Sequence, residues 1–151
     1  MKLTNKQIQN IVGGTNRLSE EIKAGHLRLE YGTTLAVAIL KKKLAPLAEA
    51  FAETRDALVE EYCMRDAAGQ KKKIPATEFL PEQWDLGENK VKYEQDIKGL
   101  FLTVIEVDRL EPLPLASFKI KKVKGADGKE EDGDIDPDIL FLLTPWLVIE
   151  A

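Results

Sequence analysis

The sequence predicts an α+β fold: an N-terminal αα-hairpin with one long helix, packed with a small C-terminal β-rich part and short helices. Three observations predict it. Apolar residues recur at helical spacing through the first 67 residues, a capping signal precedes the first of them, and β-branched or alternating segments gather after residue 102. With 151 residues, 44% hydrophobic and 32% charged, the chain can bury a core and is too apolar for a disordered polymer. It reads as a single domain over 1–151, with the helical hairpin in 1–69 and a mixed α/β part in 70–151.

Thr4-Asn5-Lys6-Gln7 has the form of a capping box, in which Thr4 accepts from the backbone three residues on and Gln7 reaches back. Ile8, Ile11, Val12, Leu18 and Ile22 then form a helical stripe, so the first helix covers roughly 4–23. Gly13 and Gly14 interrupt it at about 1 kcal/mol each, and they permit close approach of another backbone. Leu27–Tyr31 alternates as a short extended piece, and Thr33 or Thr34 can cap the next helix.

That second helix, over about 33–67, is the strongest element. Leu40, Leu44, Leu47, Phe51, Leu58 and Tyr62 recur mostly at spacings of three and four among many alanines. Pro46 lies inside the pattern and should kink the helix or split it. Gly69 marks the stop. The two helices should lie antiparallel.

Gly69–Gly87, with Pro75, Pro81 and Lys71-Lys72-Lys73, reads as an irregular connection. Tyr93–Leu102 reads as a short helix with Ile97, Leu100 and Phe101 facing inward. Thr103–Asp108 is the best strand, and Pro112 and Pro114 block regular structure after it. Phe118–Val123 alternates like a half-exposed strand. Gly125–Gly133 is a polar loop with a hairpin tip. Asp136-Pro137-Asp138 is a helix start, with Asp136 as cap and Pro137 at the first helical position, giving a short helix over Pro137–Leu143. Trp146–Ile149 suits a buried terminal strand. No internal repeat is present.

The net charge of −4 gives no global attraction to nucleic acid or anionic membrane. Acidity is local: residues 125–151 hold eight acidic side chains and one basic. The polar start lacks a signal-peptide pattern, and no apolar run is long enough to span a bilayer, so a soluble chain with no membrane partner is expected. The lone cysteine, Cys63, excludes an intramolecular disulfide and suits a reducing compartment.

The reactive groups are few. His26 is the only histidine and reads as a turn residue. Cys63 has only Arg65 nearby to lower its pKa and reads as packing. The carboxylates of 127–138 do not fit an EF-hand: placing Gly133 sixth puts Gly128 first and Ile139 twelfth, so a solvated acidic loop is expected. Lys41-Lys42-Lys43, Lys71-Lys72-Lys73 and Lys119, Lys121, Lys122 and Lys124 could meet phosphate, yet soluble helices and edge strands also carry lysines outward. No phosphate loop, dinucleotide fingerprint, zinc spacing or nucleophile elbow is present. No catalytic residue, cofactor or metal is expected, which leans against an enzyme.

Three segments, Met1–Ile8, Glu60–Gly69 and Ile135–Leu140, resemble a family of small phage-encoded proteins known only as a domain of unknown function. Together they touch about half the chain. The chain departs from that pattern around Lys71–Gly87 and at Gly125–Gly133. The resemblance implies a phage or prophage origin and action in the cytoplasm of the bacterial host, and it brings no catalytic residues.

The expectation is therefore a non-enzymatic interaction protein that binds a host or phage protein as inhibitor, adaptor or assembly factor. The alternatives are a virion or assembly component, and a small enzyme or nucleotide binder using the C-terminal carboxylates and lysines. The expected surface is Leu35, Val37, Ile39, Leu40 and Leu44, because apolar positions surround the first turns of the long helix more widely than one stripe needs. A homo-oligomer is a possible use of that surface.

Overall fold

The computed structural model describes residues 1–124 and 128–148. The fold is α+β, with four helices and short strands in small sheets among the described residues. The chain divides into two compact units, Met1–Ala48 with Val104–Ala151, and Glu49–Thr103. That division falls elsewhere than the boundary at 69/70 read from the sequence.

In the first unit, β1 (Lys2–Thr4) leads into α1 (Asn5–Lys23). The capping box is formed: the Gln7 amide donates to Thr4 Oγ1 at 3.2 Å, and the Thr4 amide donates to Gln7 Oε1 at 2.9 Å. β1 also pairs antiparallel with β5 (Val104–Glu106), with Leu3 opposite Ile105. α1 buries Ile8, Ile11 and Leu18.

The main neighbour of α1 is α4 (Pro137–Leu143) rather than the long helix. Gly14 explains the closeness: a Cβ there would lie 2.9 Å from Leu143 Cδ2 and 3.0 Å from Leu142 Cβ. α1 packs along α4, and the first half of α2 (Tyr31–Tyr62) adds Val37, Leu40 and Leu44 to the same core. The start of α4 is as expected, since Asp136 Oδ1 accepts from the Asp138 amide at 2.8 Å.

α2 begins two residues before the expected start, so Thr33 is not a cap. Its buried hydroxyl donates to the Ser117 carbonyl at 3.3 Å and accepts from the Lys119 amide at 2.8 Å. The helix runs unbroken through Pro46, so of the expected kink or split the split does not occur. Pro46 is exposed, so its ring meets solvent and not the core.

β2 (Leu27–Leu29), β7 (Ile120–Lys124) and β8 (Lys129–Gly133) form an antiparallel sheet in the order β2-β7-β8. Leu27, Leu29 and Ile120 face the core. The other face carries a charge ladder: Arg28 meets Glu130 at 3.2 Å, and Lys121 pairs with Asp132 and, at 3.7 Å, with Glu30. β8 occupies part of the expected loop, and residues 125–127 at its tip lie outside the described residues. β6 (Leu113–Pro114), where prolines argued against regular structure, pairs parallel with β9 (Leu147–Val148). This edge tolerates Pro114 because proline lacks only a donor. Trp146 is buried, meets Phe118 edge-on at 6.4 Å and donates to the Glu111 carbonyl. Ile149 lies outside the described residues.

In the second unit, α2 ends at Tyr62 rather than near residue 67, because the following backbone turns to a hairpin. The Met64 amide donates to the Asp85 carbonyl at 2.8 Å, and the Lys72 amide to the Met64 carbonyl at 2.9 Å. β3 (Lys73–Ile74) and β4 (Gln83–Trp84) form that hairpin within the expected irregular connection. α3 (Lys90–Leu102) turns Tyr93, Ile97, Leu100 and Phe101 inward, half-buried. Phe51 packs on Phe101 with ring centroids 5.0 Å apart. Leu58 is half-buried in this unit, whereas Phe51, Val59 and Cys63 are buried.

Candidate functional site

The five residues singled out on the long helix separate by face. Val37, Leu40 and Leu44 are buried in the first unit's core. Leu35 and Ile39 point away and are 57% and 45% exposed, and Tyr31 joins them at 90%. Tyr31, Leu35 and Ile39 are four residues apart, so they form one stripe along the outer face of α2. Ala38, Ala45 and Pro46 are exposed on the same helix.

Several lysines of the basic clusters are engaged within the fold. Lys41 bonds Ser19, and Lys43 donates to the Asp108 carbonyl at 2.7 Å. Lys121 belongs to the sheet's charge ladder, and the stem of Lys122 lies against Gly133. Lys71 and Lys73 stand over Trp84 at 4.7 and 4.6 Å from its ring centre. Their charges are matched by Glu60 at 3.1 Å and Glu82 at 3.7 Å. Arg65 also pairs with Glu60. The Arg65 and Lys71 bonds hold the Glu60 carboxyl below its ordinary range.

His26 Nδ1 lies 2.9 Å from Glu21 Oε2 on the surface. Cys63 is buried, with its thiol donating to the Lys72 carbonyl at 3.3 Å. Among the described residues, no three His, Cys, Asp or Glu side chains are grouped to hold a metal ion. Among them, too, no helix is long and apolar enough to cross a membrane.

Two features escaped sequence reasoning. One is the β3–β4 tip, where Phe79 is 88% exposed in a tight turn closed by the Thr77 amide donating to the Leu80 carbonyl at 2.8 Å. Its signal was an apolar pair between Pro75 and Pro81. The other is a set of adjoining grooves in the first unit, of about 510, 520 and 240 Å³, all lined by the stretch from Asp132 to Leu140. No local pattern announces them, because their opposite walls come from residues 17–27 and 115–122.

No protein family model, curated protein or solved structure matches the chain.

Proposed function

We propose that this protein is a non-enzymatic binding protein of phage type. It acts inside a bacterial cell by engaging a host or phage protein as inhibitor, adaptor or assembly factor. The observation that carries this reading is the Tyr31–Leu35–Ile39 stripe on α2. The core is already supplied by Val37, Leu40 and Leu44, so the stripe adds nothing to it. Covering the exposed half of Leu35 or Ile39 stabilises a complex by roughly 1 kcal/mol each, so a partner gains from this face. The phage setting rests on the resemblance of the opening segment, the Glu60–Gly69 segment and Ile135–Leu140.

The test is affinity purification from phage-bearing cells with the native chain and with a Leu35→Glu, Ile39→Glu double variant. Both positions are exposed, so the variant should keep its circular dichroism spectrum and unfolding midpoint while losing the copurified protein. An unchanged set of bound proteins would sink the reading. The same stripe also suits packing between copies, as in an assembly component. Light scattering decides this: a native dimer that the double variant makes monomeric favours that alternative.

A further inference from the structure

The grooves along Asp132–Leu140 form one furrow. The first and second share Asp134 and Ile135, and the second and third share Glu21 and Asp136. Asp132 and Gly133 close β8, and residues 134–136 then run without regular structure to α4, lining the furrow throughout. Its floor is apolar: Phe118 and Ile120 are buried, and Leu115, Ile135 and Leu140 are half-buried. Its walls are acidic, with six carboxylates against the cations Arg17, Lys119 and Lys122.

Those carboxylates differ in what they already hold. Asp132 is paired with Lys121, Glu21 meets His26, and Asp136 caps α4. Glu20, Asp134 and Asp138 make no ion pair among the described residues. An apolar floor under unneutralised acid repels nucleic acid and anionic lipid, and it matches a chain alternating apolar and cationic side chains. The grooves are open to solvent along their length, which suits an extended segment more than a compact ligand.

We propose that this furrow binds an extended basic peptide segment, such as a Lys/Arg-rich tail or loop of a partner protein, with apolar side chains on the floor and cations at Asp134 and Asp138. The proposal rests on the binding role proposed above and gives it a second surface with a defined partner chemistry. The furrow shares no residue with the α2 stripe, so the two can fail separately.

The test uses a fluorescein-labelled, end-capped nine-residue peptide alternating Lys and Leu. The controls are a Lys–Ser and a Glu–Leu peptide of the same length. Anisotropy against the full chain should show saturable binding of the Lys–Leu peptide, at least tenfold weaker for both controls. Raising salt from about 50 to 300 mM should weaken it further, since the pairs lie at the surface. Amide chemical shifts should move within 115–120 and 132–140. Asp134→Lys with Asp138→Lys should weaken binding at least tenfold. The milder Asp134→Asn with Asp138→Asn should weaken it by a smaller factor, which guards against a misfolded charge reversal. Ile39→Glu should leave it unchanged. Equal binding of the Lys–Ser peptide, shifts confined to other segments, or no saturable binding would each overturn the proposal. Loss of the cellular partner in the α2 variant alone, with peptide binding intact, would uphold both surfaces. A cellular partner set unchanged by the α2 variant would sink the reading that the stripe carries, while the peptide titration separately decides the furrow.

Discussion

The Tyr62 hydroxyl donates a 2.6 Å hydrogen bond to the Asp96 carboxylate, tying the last turn of α2 to α3. The two elements also share an edge-on contact of Tyr62 with Tyr93, centroids 6.5 Å apart, and the Asn89 side-chain Nδ2, just before α3, donates to the Tyr62 carbonyl. The bond to Asp96 favours the neutral phenol, and its negative charge opposes a phenolate beside it. Together with desolvation they push the Tyr62 pKa up to about 12.

The sign of the linkage follows from a folded value raised above the ordinary one near 10. The contribution is complete below pH 10 and fades as pH rises toward 12. A spectrophotometric titration should show a tyrosine step near pH 12, and Asp96→Ala should move it toward 10. A titration that Asp96→Ala leaves unchanged would show that the bond does not persist in solution.

Gly14 and Gly13 should respond oppositely to alanine. Both gain helix propensity, up to about 1 kcal/mol. At Gly13 an added Cβ meets nothing within 4 Å, so that gain should appear as a higher unfolding midpoint. At Gly14 the new methyl strikes Leu143 at 2.9 Å, and overpacking typically costs about 1–3 kcal/mol. Chemical denaturation should therefore rank Gly13→Ala above the native chain and Gly14→Ala below it.

Local chemistry was legible where it was self-contained. The Thr4–Gln7 box and the Asp136-Pro137 start depend on residues three or fewer apart, and both form as expected. β1 and β6 were hidden because strands of two or three residues carry no periodicity and exist only through distant partners, whereas the apolar run from Trp146 announced β9. β8 was hidden because Glu130, Glu131 and Asp132 have poor strand propensity; Lys121 and Lys122 on the adjacent β7, and Arg28 reaching Glu130 from β2, compensate. On α2, apolar residues surround the first turns, so spacing alone could not separate Val37 from Leu35. The furrow was illegible for another reason: its walls come from three stretches far apart in sequence.

Acid should loosen the β3–β4 hairpin before it unfolds the chain. Glu60 joins Arg65 and Lys71, and Lys71 stands over Trp84. Because its folded pKa is depressed, Glu60 contributes stability above the ordinary value of 4.5, and that stability is lost as pH falls through the folded pKa. Trp84 emission should change in that acidic window, read against a Trp146→Phe background. Glu60→Gln should remove the acid step. A Trp84 signal that changes only with global unfolding would count against the coupling.

The two faces of α2 should separate stability from binding. Leu44 is fully buried, so Leu44→Ala should cost about 2–5 kcal/mol and lower the denaturation midpoint accordingly. Leu47, on the same sequence stripe, is half-buried, and its truncation should cost less than that of Leu44. Ile39 is 45% exposed, so Ile39→Ala should stay within about 0.5 kcal/mol of the native chain. Its effect should instead appear in association, because truncation removes apolar area from the stripe that a partner would cover. Paired measurements on each variant, denaturant unfolding and partner binding, should therefore give opposite rankings for Leu44 and Ile39. If Ile39→Ala destabilises the chain as much as Leu44→Ala, the outer face of α2 is packed within the protein itself and is not its docking surface.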